Sequence, residues 1–387
     1  MEIIAIIILI MIVVKIEKAL YRERILPRIG YECHFSKEEV FEGDSLEIVE
    51  TVINPSKLMV PGVKAEITTS KYIEFANNDF MSNDKNHSIA SVFAVRAKRR
   101  VTRRWKVKCR KRGFFKIEDT SLVGDDLFGT YRYSTVKPNK SELVVLPKPI
   151  NVEDYITKNN VAQGEHSVKR YILEDPFMIA GTREYAYGDP MNKIHWGITA
   201  SQGRLMVRNN ETTTKRSITV LLNMQVHEEQ LKELPRDSRL ELAIKIAAGV
   251  LDQSIKSNTP IRLIANSYVD KEKNELDSSE MWGQAHVHHL MILLAYLQEI
   301  YAEPIQQFIS HIKGTITTTE LIVITCYIDP AILQFIREKE EAGIVVKVYL
   351  MAYEADCLPY EGIEVYYMLD YLKEVGETYA DQEWSGL

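Results

Sequence analysis

Cysteine is scarce. The 387 residues include four, none of them in a C-x-x-C pair, which excludes a disulfide scaffold and a cysteine-rich zinc module. Glycine (18) and proline (13) are too few for a collagen-like or low-complexity chain. No Walker A loop, G-x-S-x-G elbow, dinucleotide fingerprint, H-E-x-x-H helix or Cys/His nucleophile motif occurs. Long apolar runs are also missing, with one exception, and a mean hydropathy of −0.17 excludes a polytopic membrane protein. What remains is an ordinary globular balance, 45% hydrophobic and 26% charged, long enough for two or three domains. The net charge of −6 does not point to nucleic acid.

The exception is Ile3 to Val14, IIAIIILIMIVV. As a helix this run covers only ~18 Å, against a hydrocarbon core of ~30 Å. Continuation to Tyr21, with Lys15 and Lys18 reaching toward headgroups, predicts a membrane anchor over residues 1–24. Only Met1 and Glu2 precede the run and no small-residue cleavage pattern follows it, which disfavours a cleaved signal peptide. A buried core helix is the other alternative. Lys15, Lys18, Arg22, Arg24 and Arg28 follow the run, so a single-pass protein with a cytoplasmic body is expected.

Residues 25–150 read as a β-sandwich. Turn signals such as Glu42-Gly43-Asp44, Asn54-Pro55-Ser56 and Asn77-Asn78-Asp79 separate strand-length segments, and Ser45 to Ile53 alternates with β-branched residues. Residues 151–216 form a polar connector followed by a distinct block. From 217 to 387 the pattern is α/β. Short apolar strands at 218–222, 261–265, 321–325, 344–351 and 363–368 alternate with helical segments at 238–256, 281–312 (broken near Pro304) and 330–341. The expected fold class is therefore multidomain, all-β plus α/β with a mostly parallel, doubly wound sheet.

Charge is distributed unevenly. Arg96 to Lys116 holds twelve Lys or Arg in twenty-one residues and no acid; Tyr353 to Leu387 holds nine acids and one lysine. Arg104, Lys106, Lys108 and Arg110 alternate with Trp105, Val107 and Cys109, so in a strand the four charges share one face. Beside an anchor such a face suits anionic lipid. A solvated face, or one paired with the acidic end of the chain, is the plain alternative. Nucleic acid is not expected, because no aromatics interleave on the exposed face.

The block Gly181-Thr182-Arg183-Glu184-Tyr185-Ala186-Tyr187-Gly188-Asp189-Pro190-Met191-Asn192-Lys193-Ile194-His195-Trp196 reads as a strand end, a turn at Gly188, and a short helix. Asp189 is the expected N-cap, Pro190 the first helical residue, and Gln202-Gly203 the end. The whole pattern, G-x-R-E-Y-x-x-G-D-x-x-x-x-I-H-W followed by G-R-L-M-V-R at Gly203 to Arg208, resembles the domain of unknown function 58 (DUF58) family. Arg112-Gly113-Phe114-Phe115, Asp126-Leu127-Phe128-Gly129 and Val144 to Pro147 extend the resemblance, with Leu127 where proline is usual and Asn192 where arginine is common.

The resemblance implies membrane segments, a β-rich region and a C-terminal region similar to a von Willebrand factor A domain. It also implies a MoxR-type AAA+ ATPase as partner in an envelope-linked assembly or maturation system. A von Willebrand factor A domain holds a divalent ion through D-x-S-x-S. The corresponding positions here are Asn223, Gln225 and His227, so the anionic ligand that would offset Mg²⁺ dehydration is gone and a degenerate site is expected. Thr325 and Asp329 lie near another strand end. His286, His288 and His289 lack zinc-site spacing. No cofactor is expected.

Arg183, Glu184, Tyr185, Gly188, Asp189, His195 and Trp196 are the signature residues, expected to act structurally or in partner binding. An interdomain ion pair of Arg183 with Glu184, and a wedge formed by His195 and Trp196, are the structural versions. The expected function is a membrane-anchored, non-catalytic scaffold. One alternative is a hydrolase-like site of Glu184, Asp189 and His195; another is a metal-dependent adhesion module.

Overall fold

The computed structural model describes residues 2–76, 81–82, 85–129, 131–152, 174–186, 189, 191–212, 216–227, 238–269, 275–357, 360 and 362–375. Most of the expected connector, Gly188, Pro190, the turn at 77–79 and the chain beyond Val375 lie outside the described residues. The chain forms two units, 1–148 with 291–297, and 149–290 with 298–387.

In the first unit helix α1 (Glu2–Leu20) runs through a π-turn (Tyr21–Ile25) into twelve strands. These are β1 (Gly30–Phe35), β2 (Glu39–Phe41), β3 (Ser45–Asn54), β4 (Val60–Ser70), β5 (Ile73–Phe75), β6 (Met81–Ser82), β7 (Asn86–Val95), β8 (Arg99–Cys109), β9 (Gly113–Lys116), β10 (Thr120–Asp125), β11 (Arg132–Lys137) and β12 (Glu142–Leu146). They build a four-stranded sheet β1-β3-β8-β5, a five-stranded sheet β11-β10-β4-β7-β6 and a small sheet β2-β12-β9. Alternation drives this arrangement: Leu46 and Ile48 from β3, and Val107 and Cys109 from β8, enter one core with Ile67 and Ile89 of the facing sheet. A second core gathers Tyr21, Ile25 and Leu26 against Val52, Val63 and Phe93. Between the sheets Glu50 of β3 is fully buried and accepts hydrogen bonds from Ser91 Oγ on β7 (2.6 Å), Trp105 Nε1 on β8 (3.2 Å) and Tyr31 OH on β1 (3.0 Å).

Among the described residues no helix is long and apolar enough to cross a membrane. The expected transmembrane helix is therefore corrected. A helix does form over Glu2–Leu20, but Lys15, Glu17 and Lys18 occupy its last turns, and the apolar stretch is left at ~18 Å. Nor is it a core helix, because its large apolar side chains from Ile3 to Val13, and Ile16, are 47–74% exposed.

The second unit begins with a two-stranded arm, β13 (Glu174–Glu184) against β14 (Met206–Thr212), with helix α2 (Trp196–Gln202) in the connection. Next come β15 (Ile218–Leu222), α3 (Ser238–Lys256), β16 (Ile261–Tyr268), β17 (Glu275–Asp277), α4 (Gln284–Tyr296, whose residues from Met291 count with the first unit), α5 (Ile305–Ile312), β18 (Glu320–Thr325), α6 (Pro330–Glu341), β19 (Val345–Leu350), β20 (Val365–Tyr367) and α7 (Met368–Val375). The sheet order is β17-β16-β15-β18-β19-β20. Its last five members are parallel and β17 is an antiparallel edge. Every residue of β15 and β18 is buried, as expected where both faces of a parallel sheet are covered. The order places a topological switch point between β15 and β18, where open α/β sheets commonly bind ligands.

Candidate functional site

The signature residues gather on the arm. Arg183, next to last in β13, makes a two-pronged ion pair with Asp189 (Nη1–Oδ2 2.7 Å, Nη2–Oδ1 2.6 Å). Asp189 Oδ2 also accepts from the Ala186 amide at 2.9 Å. The Arg183 hydrogen bonds, followed by the Ala186 amide, hold the Asp189 carboxyl down to about 2. Asp189 thus closes the turn before α2 and does not cap it, contrary to the sequence expectation. The helix begins at Trp196, and His195 is its cap: Nδ1 accepts from the Ile198 amide at 3.3 Å. The physical reason is competition, since a guanidinium fork binds the Asp189 carboxylate more strongly than a neutral helix amide does. Gly203 ends the helix in the left-handed region (φ 68°), as the sequence indicates.

Glu184 pairs with Arg204 at 2.7 Å, both within the arm. The expected Arg183–Glu184 ion pair gives way to two others, each charge taking a different partner. Sequence reading missed Arg204, although it stands in the G-R-L-M-V-R stretch. The Tyr185 amide bonds Leu205 O, continuing the arm pairing. Ile194 and Val207 are buried, whereas Trp196 is 64% exposed. Trp196 is therefore not the expected wedge. For catalysis, Glu184, Asp189 and His195 would have to converge with a free base. Each carboxylate instead holds an arginine, and the Nδ1 lone pair of His195 holds a helix amide, which leaves the ring proton on Nε2.

The switch point is filled by amides. Asn223, fully buried after β15, donates from Nδ2 to Thr325 Oγ1 (3.0 Å). Its Oδ1 accepts from Gln225 N (3.1 Å) and Asn266 Nδ2 (3.0 Å). Asn266 Oδ1 accepts from Met224 N at 2.7 Å. Gln225 Oε1 accepts from Ile305 N (3.1 Å), and its Nε2 donates to His227 O (2.9 Å). The His227 side chain itself is exposed. Asp329 caps α6 through Ile332 N (2.7 Å) and accepts from Gln306 Nε2 (2.7 Å). These oxygens already receive protein N–H groups, and Asn223 supplies no charge to draw a cation away from its water. Among the described residues no group of three or more His, Cys, Asp and Glu is placed to hold a metal ion. His286 is buried and donates from Nε2 to Ile261 O at 3.0 Å.

On β8 the expected faces are seen. Trp105 packs partly buried beside the core, edge-on to Phe75, with Val107 and Cys109 inside, while Arg104, Lys106 and Lys108 lie on the other face and Arg110 follows the strand. Arg104 pairs with Glu47 at 2.8 Å and Arg110 with Glu74. Arg112, which the sequence reading counted with the basic patch, is instead 4% exposed and donates from Nη1 to the carbonyls of Leu294 (2.6 Å), Ala295 (3.2 Å) and Leu297 (3.0 Å), all in the first unit. Its neighbour Phe114 stacks on Tyr296 at 5.5 Å.

No curated protein matches the sequence. Among solved structures the chain is similar to the CARDB domain of a Pyrococcus furiosus protein, at 15% identity over 30% of this chain and 91% of that one, TM-score 0.21. It is similar to a non-cellulosomal cohesin of Archaeoglobus fulgidus, at 11% over 33% and 96%, TM-score 0.21. It is also similar to the sporulation control protein Spo0M of Bacillus subtilis, at 9% over 35% and 56%, TM-score 0.17. Likenesses at these scores support no argument about function. Residues 181–326, which include the signature block and the switch point, match the family described as "Protein of unknown function DUF58".

Proposed function

We propose that this protein is a membrane-associated, non-catalytic scaffold that presents its signature arm to a protein partner. The observation that carries the reading is Trp196, 64% exposed on an arm whose carboxylates Glu184 and Asp189 are bound internally by arginines. An exposed tryptophan beside internally paired charges has the composition of a binding hot spot. A MoxR-type AAA+ ATPase is the partner proposed, and envelope-linked assembly or maturation the setting. The α/β unit is read as von Willebrand factor A-like, its strand order and the position of Asn223 supporting that reading; its ion position is taken over by amides. Helix α1 supports membrane contact through its all-round apolar surface. The basic flank from Lys15 to Arg28 supports a body on the cytoplasmic side, where the leaflet is anionic, and external protease on intact cells tests this by leaving the body uncut.

The deciding experiment titrates the full chain with a purified MoxR-type ATPase. Wild type is expected to bind, and Trp196→Ala to weaken binding by about tenfold or more. Lack of binding by wild type overturns the partnership. Turnover of a substrate that stops with His195→Ala, in a protein that stays folded, overturns the non-catalytic reading.

A further inference from the structure

One end of the β-sandwich collects features that the sequence scatters over more than one hundred residues. In the pairing of β10 with β4, Asp125 stands opposite Gly62; in β4 with β7, Val60 opposite Val95; in β3 with β8, Asn54 opposite Arg99; in β1 with β3, Gly30 opposite Ile53. The turns 55–59, 96–98 and 126–129, and the exit of the helical segment before β1, therefore lie at the same end.

The turns there are built. Asn54, 1% exposed, donates from Nδ2 to Leu58 O (2.9 Å), Val95 O (3.1 Å) and Arg96 O (3.2 Å), which joins two of them. Lys98 N bonds Ser56 O at 3.0 Å. The third is a tight turn closed by Gly129 N to Asp126 O. The helical segment is tied to both apolar turns: Tyr21 OH donates to Met59 O (2.6 Å), and Glu17 Oε1 accepts from Leu127 N (2.8 Å). Lys18 and Arg22 lie over the Tyr131 ring.

The tips are apolar and the rim is basic. Leu58, Met59, Leu127 and Phe128 are 45–56% exposed. Lys57, Arg96, Lys98 and Arg99 are exposed around them. Among nearby acids Asp126 is buried, Asp125 is paired with Arg132, and Glu17 is engaged with Leu127; Glu23 is exposed. A protein groove would cover one side of α1, whereas every side of it is apolar from Ile3 to Val14. Only a solvent-like apolar phase matches that pattern.

We propose that this end of the sandwich rests on an anionic bilayer surface, with Leu58, Met59, Leu127 and Phe128 entering the headgroup–acyl boundary beside α1 and the basic rim meeting the lipid charge. The proposal rests on the membrane association given under Proposed function and adds which surface makes it. It also orders the charges of β8. Arg99 stands at the bilayer end, and Arg110 lies ~36 Å along the strand, several Debye lengths away.

The test uses the full chain and vesicles of phosphatidylcholine alone or with 30% phosphatidylglycerol. Phe128→Trp is expected to gain fluorescence that brominated lipid tails quench. Lys57→Glu, Arg96→Glu and Lys98→Glu are each expected to weaken partitioning onto anionic vesicles about fivefold. Lys106→Glu and Lys108→Glu are expected to leave it within twofold, and circular dichroism checks that every variant is folded. Failure of wild type to bind vesicles overturns both this proposal and the membrane reading. Binding of the Phe128→Trp variant with its added fluorescence unquenched, or strand-face variants weaker than the rim variants, overturns the end-on surface alone.

Discussion

Gly249 in α3 shows how one atom decides a fit. A Cβ there would lie 1.8 Å from the carbonyl oxygen of Ile150, and Ile150 N bonds Lys245 O one turn earlier. Alanine favours helix over glycine by about 1 kcal/mol in the open. Here the obstruction is backbone, so Gly249→Ala is expected to lower stability by about 2 kcal/mol, read from a urea transition. Asp189 gives a second test at this scale. Its carboxyl is held down to about 2 chiefly by Arg183. A depressed acid contributes above its ordinary value and loses that contribution as pH falls through the folded-state value. The Asp189 carbon resonance is thus expected to titrate near pH 2 in wild type and to move up toward the ordinary aspartate value in Arg183→Ala, with the Ala186 amide still holding it below.

Glu50 sets the cost of opening the sandwich, because β3 reaches across through it to Ser91 on β7. Glu50→Ala leaves the buried donors of Ser91 and Trp105 without their acceptor and is expected to cost about 3 kcal/mol in denaturant unfolding. Burial raises the Glu50 carboxyl, against the opposing pull of Ser91, Trp105 and Tyr31. The fold then holds this proton more tightly than the unfolded chain does. That contribution is complete below the ordinary glutamate value and is lost as pH rises through the folded-state value. Wild type should lose stability relative to Glu50→Gln over that rise. Elements differed in how far sequence disclosed them. The runs at 218–222 and 321–325 were readable because both sheet faces are buried, which leaves four of the five residues in each apolar and the fifth a β-branched threonine. Helix α6 was readable from Pro330 to Glu341, whereas the role of Asp329 as its cap, through the Ile332 amide, was not read. The start of α2 was not readable at Asp189, since Arg183 arrives from another strand. Edge strand β17 was missed: three residues are too few to show a period. The end-of-sandwich surface was also hidden, because its turns meet only through strand register.

At the scale of the molecule the chain passes between units three times, because residues 291–297 count with the first unit and the flanking segments with the second. The Arg112-Gly113-Phe114 stretch lies where 291–297 is received, through three carbonyl hydrogen bonds and the Phe114–Tyr296 stack. Arg112→Ala is expected to destabilise the first unit by about 3 kcal/mol, visible as a lower thermal midpoint for its transition. All three bonds leave from Nη1, so Arg112→Lys, whose ammonium carries three donors at one nitrogen, should recover part of this loss.

The position of β15 has a consequence for biosynthesis. Its two neighbours, Ile261–Tyr268 and Glu320–Thr325, both follow it in the chain. Ile218–Leu222 therefore leaves the ribosome with neither lateral partner made. At ~5–20 residues per second the second one follows roughly 5–20 s later. During that interval a largely apolar, β-prone pentapeptide stays unshielded, and the nascent chain should recruit a holdase chaperone until residue 325 emerges.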